Sequence, residues 1–141
     1  MELNTAFLTP VLALVVWTLV MWVWMYATRI PAMQKAGVDP QDAMHPGSLA
    51  KLLPSAAQRV ADNYNHLHEA PTIFYALMFF AALTGGADGT ALTLAWTYVL
   101  LRVLHSLIQG TFNKVALRFT VFAASTIVLM IFAGRELFRV L

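Results

Sequence analysis

Arg59, Asp62, Asn63, His66 and Glu69 recur at i, i+3, i+4, i+7 and i+10, which places them on one stripe of a helix. Tyr98, Arg102, His105 and Gln109 do the same on a second segment. Guanidinium forks match carboxylates, and amides and imidazoles can hold or polarise a polar ligand. The first stripe runs straight into Thr72-Ile-Phe-Tyr-Ala-Leu-Met-Phe-Phe-Ala-Ala-Leu83. Carrying Glu, His and Asn into an apolar segment of that kind costs on the order of several kcal/mol in desolvation. Such groups are usually paired, and they serve the inside of a helical bundle instead of facing lipid.

The elements that position these stripes follow from composition. Hydrophobic residues make up 60% of the 141 residues and charged residues 11%. A soluble domain of this size cannot hide that much apolar surface. The net charge of +2 and the scattered basic residues exclude a nucleic-acid partner. Without cysteine there is no disulfide framework, thiolate metal site or cysteine nucleophile.

Four spans fit, at about 6–28, 56–84, 90–109 and 115–134, as a single all-α integral membrane domain built as a four-helix bundle. The first apolar run, Ala6 to Tyr26, is longer than a signal core of roughly 7–15 residues, and the N-terminus before it has Glu2 and no Lys or Arg, so it reads as a retained span. Ser55 and Gln58 have the form of a capping box opening the second helix. Pro71 should kink that helix, and Gly85-Gly-Ala-Asp-Gly89 should turn it into the third. Arg29, Lys35, Lys51, Lys114 and Arg118 put the first and third loops in the cytoplasm and both termini outside, although Arg135 and Arg139 count the other way. The compact chain suggests a multi-pass protein of a bacterial inner membrane.

Helical rise converts these spans into a test. Glu69 lies about 21 Å along its helix from Leu83, and Arg102 about 18 Å from Thr90 on the antiparallel neighbour. His66, at about 25 Å, and His105, at about 22 Å, form a second level. A buried Glu69–Arg102 ion pair is therefore expected. The two stripes read either as a network fixing helix register or as the wall of a pocket for a polar or anionic ligand. His66 and His68 are two apart and face opposite ways, so they do not form a metal pair, and no metal is expected. His45 reads as a solvated loop residue.

Arg59 followed ten residues later by Glu69 and then Pro71, together with Arg102-Val-Leu-His105 and Arg118 sixteen positions after Arg102, resembles the MAPEG family. These are the membrane-associated proteins of eicosanoid and glutathione metabolism. The resemblance implies a homotrimer with glutathione held between subunits near the cytoplasmic side. It carries Arg59, Glu69, Arg102, His105 and Arg118 onto family positions, with His105 and Arg118 nearest the chemistry. His66 stands where active members commonly have Asn, and Asn63 and Gln109 complete the expected cosubstrate contacts. Asp62, Asn65, Gln109 and Phe119 replace groups that glutathione-using members carry. Two functions stay open. One is a glutathione S-transferase or peroxidase acting on lipophilic small molecules in the bilayer. The other is a non-catalytic trimeric membrane protein with a lipid or small-ligand pocket and no glutathione binding.

Overall fold

The computed structural model describes residues 5–141; Glu2, used above to argue against a cleaved signal, lies outside them. Among the described residues there are five α-helices and no strand: α1 Thr9–Ala36, α2 Ser55–His66, α3 Ala70–Leu83, α4 Gly89–Gly110 and α5 Val115–Val140. Three stretches are long and apolar enough to cross a membrane: Thr5–Ala36, Gly89–Gly110 and Val115–Val140. Helices α2 and α3 together make the remaining arm of an all-α bundle.

The arm is broken, not merely kinked. Proline has no N–H, and its ring collides with the carbonyl four residues back, here that of Leu67. The chain leaves the helix at Leu67–Glu69 and restarts with Pro71 buried in the first turn of α3, where a missing N–H costs nothing. The helix start differs from expectation too. Pro54 is the cap of α2, no side chain caps it, and Gln58 Nε2 donates instead to Asp62 Oδ1 at 2.9 Å. Helix α1 also runs past Thr28 and through Pro31 to Ala36, since one lost hydrogen bond does not end a long helix. Gly37 ends it, with a left-handed φ of 63° and its N–H on the carbonyls of Met33 and Gln34.

Helix α4 is the spine, packed against α1, α2 and α5. Its buried face reads Ala91, Ala95, Tyr98, Arg102, His105 and Gln109, one residue per helical turn. The first part of that face is small, so neighbouring helices approach closely, and the rest is polar. Leu14, Met21 and Met25 of α1 and Phe74, Met78 and Ala81 of α3 fill the apolar core. Tyr98 stacks on Phe74 with ring centroids 4.7 Å apart. At the far end of α4, a Cβ on Gly110 would stand 2.8 Å from the Trp24 ring, so glycine is needed where α1 crosses.

The opposite end holds a group that the sequence reading left out. Helix α5 continues beyond Gly134, and Glu136 is 1% exposed. Its carboxylate accepts from Arg135 Nη1 and from Arg139 Nε at 3.0 Å and Nη2 at 2.8 Å. Arg135 also pairs with Asp88, and Arg139 Nη1 donates to the Thr84 carbonyl at 2.8 Å. Helix α5 therefore carries a buried carboxylate at this end, and Arg135 and Arg139 clamp the α3–α4 turn to the end of α5.

Candidate ligand site

Antiparallel packing of α2 on α4 zips the two polar stripes together in levels. Asn63 Nδ2 donates to Gln109 Oε1 at 3.0 Å, both side chains being buried. One turn along, the His66 and His105 rings stack with centroids 6.1 Å apart and planes 25° from parallel. A turn further, Arg102 Nη2 donates to the His66 carbonyl at 3.3 Å. The shared level expected for His66 and His105 is thus where the structure has it.

The expected Glu69–Arg102 ion pair is absent. Glu69 is exposed in the break between α2 and α3, where its carbonyl accepts from Thr72 Oγ1 at 2.6 Å. Arg102 is wholly buried. Its charge lies at the C-terminal end of α2, where unpaired carbonyls make the negative pole of the helix dipole. It also sits over Phe122 of α5, with Cζ 5.5 Å from the ring centroid, within range of a cation–π contact. Common depth did not make a pair because the break at Leu67–Glu69 turns the acid away.

Helix α5 supplies the third wall. Arg118 Nη1 donates to Asn113 Oδ1 at 2.8 Å, and Asn113 has a left-handed φ of 47°, which asparagine tolerates better than most residues. The short α4–α5 turn thereby aims Arg118 at the histidines. A cavity of about 190 Å³ is lined by His66, His105, Val115, Arg118, Phe119 and Phe122. Phe122 also packs on His105, with centroids 5.8 Å apart. Sequence reasoning missed Asn113 and Phe122. An asparagine in a four-residue turn and an aromatic one helical turn after Arg118 are the signals that point to them.

His66, His105 and Arg118 therefore meet at one cavity, with Arg102 beneath them and the Asn63–Gln109 pair beside them. Arg59 is half-buried two turns before His66, and Glu69 stands apart. His68 faces outward, its Nδ1 2.9 Å from the Tyr64 carbonyl, and His45 is exposed in the loop. Buried polar atoms concentrate in this layer: Arg59 Nε, Asn63 Oδ1, His66 Nδ1, Arg102 Nε and Nη1, and His105 Nδ1 make no hydrogen bond within the chain. Buried polar groups seldom go without partners, and most of these are donors or can become donors. Asp62, the acid on the same stripe of α2, is engaged by Gln58. Such a layer suits an anionic, hydrogen-bond-accepting ligand.

No curated protein and no solved structure matches the chain. The family model of the MAPEG family matches residues 7–138, nearly the whole chain. With its membrane-length helices and its polar layer between α2 and α4, the protein belongs to the MAPEG family.

Proposed function

We propose that the protein is a glutathione-dependent transferase or peroxidase acting on lipophilic electrophiles dissolved in the bilayer. The observation that carries this reading is the layer of unpartnered polar atoms, mostly arginine and imidazole nitrogens, that leads from Arg59 and Arg102 to the His66–His105–Arg118 cavity. Arg118, with Arg59 and Arg102, supplies positive charge for the carboxylates of the tripeptide, and His105 orients the thiol end. Asn63, His66, Glu69 and Gln109 provide the remaining polar contacts. Phe119, Val115 and the exposed apolar face of α5 offer the lipophilic electrophile a route from the lipid.

A single chain encloses only about 190 Å³ at this point, below the roughly 300–1,000 Å³ of small-molecule sites. A second copy closing the cavity fits a homotrimer with sites between subunits. Arg29, Lys35, Lys51 and Lys114 share the end that holds this layer, which we place in the cytoplasm. The cysteine-free chain makes that orientation testable by labelling single cysteines introduced at Ser48 and Thr90.

The non-catalytic reading draws on Asp62, an acid held half-buried beside the layer, and on Gln109, which is committed to Asn63. Calorimetric titration of the detergent-solubilised protein with glutathione separates the two. Saturable binding that Arg118→Ala removes and Asp62→Arg strengthens is the expected result. Absence of heat at millimolar glutathione sinks the enzyme reading, and weakening by Asp62→Arg shows the pocket to be misplaced.

A further inference from the structure

Resting on the glutathione reading, we infer that His66 is the base that takes the thiol proton, with His105 as the residue that positions its ring. Two side chains lining the cavity carry a ring nitrogen that can accept a proton, and both are histidines. Arg118 can hold a thiolate by charge but cannot deprotonate a thiol, because a guanidinium carries no acceptor.

The surroundings distinguish the two imidazoles. His105 is 1% exposed in the middle of α4, between the Arg102 and Arg118 guanidiniums and against Phe122. An imidazolium there would stand against the buried Arg102 and the half-buried Arg118. His66 is the last residue of α2 and is only half-buried. Its partial exposure gives a transferred proton a path to water. The groups arrayed about it are Arg59 and Asp62 on its own helix, Arg102 and His105 from α4, Arg118 from α5 and the exposed Glu69 in the break. Arg102 engages the His66 backbone carbonyl. The near-parallel stack on His105 fixes the ring plane.

The step balances within the named groups. The S–H bond breaks and its proton passes to the unprotonated ring nitrogen of His66, leaving a thiolate beside Arg118. The sulfur pair then forms a bond to the electrophilic carbon while the leaving group departs with its bonding electrons. The imidazolium returns its proton to water.

The test uses the full-length protein in detergent with glutathione and chlorodinitrobenzene. It compares the parent protein with His66→Gln and His105→Gln, reading Kd by calorimetry, the ultraviolet thiolate band, and kcat/KM against pH. His66→Gln should keep measurable glutathione binding, with Kd weakened by no more than the loss of one polar contact, while it abolishes the thiolate band at neutral pH and lowers kcat about a hundredfold, the low end of a general-base contribution. It should also replace the parental acid limb of the pH profile with one set by the thiol's own ionisation. His105→Gln should lower kcat while keeping the parental limb. A His66→Gln protein that binds glutathione and retains the parental profile overturns this assignment alone, as does loss of the limb in His105→Gln with its retention in His66→Gln. A parent protein that binds no glutathione overturns the functional reading, and this assignment falls with it.

Discussion

Replacing Glu136 by Gln should destabilise the bundle far more than replacing Asp88 by Asn, although both changes remove one carboxylate from the same cluster. The Glu136 side chain is 2% exposed and accepts from two arginines that are 22% and 27% exposed. Removing one partner of a buried ion pair costs about 3–5 kcal/mol, and the partial exposure of both arginines puts this case near 3. The Asp88 side chain is 55% exposed, and an ion pair at such a site contributes little because solvent screens it. Asparagine keeps the helix cap that Asp88 makes on the Ala91 N–H at 2.9 Å, so the second change isolates the ion pair. At roughly 3 °C per kcal/mol for a chain of this size, the Glu136→Gln midpoint should fall by about 9 °C and the Asp88→Asn midpoint should hardly move. Tryptophan fluorescence of the detergent-solubilised proteins during heating reads both. Equal losses, or a larger loss for Asp88→Asn, would refute the claim that burial decides the strength of this clamp.

Gly86→Ala should damage the same clamp from the turn side, because its Cβ would stand 2.2 Å from Glu136 Oε2 and 2.9 Å from Arg139 Nε. A thermal midpoint lowered by an amount comparable to Glu136→Gln, with no further loss in the double variant, is the expected pattern. The Ala91 N–H bond, and secondarily the Arg135 guanidinium, hold the Asp88 carboxyl below the usual carboxylate range. With the folded value depressed, the stability Asp88 adds is present at neutral pH and is lost as pH falls below about 4. An acid titration of stability should therefore be flatter in Asp88→Asn than in the parent. Asn63→Ala should cost about 1–3 kcal/mol by leaving Gln109 Oε1 buried without its donor, and a double-mutant cycle with Gln109→Ala should show strong coupling.

The spans of α1, α4 and α5 were legible because a lipid-length apolar run has few other fates. The polar stripes were legible too, since helical periodicity alone aligns Tyr98, Arg102, His105 and Gln109. Rise per residue correctly paired His66 with His105, which lie on the same side of the break as the Asn63–Gln109 contact. It failed for Glu69, because rise fixes a level and says nothing about azimuth once the helix restarts at Pro71. Arg102 then takes helix-end carbonyl density in place of a carboxylate, an interaction with no side-chain signature. Glu136 was hidden by its neighbours: flanked by Leu137 and Arg135 near the end of the chain, it reads as a solvated tail until α5 is seen to carry it against the α3–α4 turn. The Ser55–Gln58 pattern matched a capping box, yet Pro54 holds the cap position and Gln58 turns to Asp62.

The most direct measurement is an experimental structure of the membrane-embedded protein prepared with glutathione. The tripeptide should lie against Arg118 and beside the stacked rings of His66 and His105, with a second copy of the chain closing the cavity. Tripeptide density confined to the loop pocket near Arg29 and His45, or acyl chains alone between the histidines and Arg118, would contradict the account.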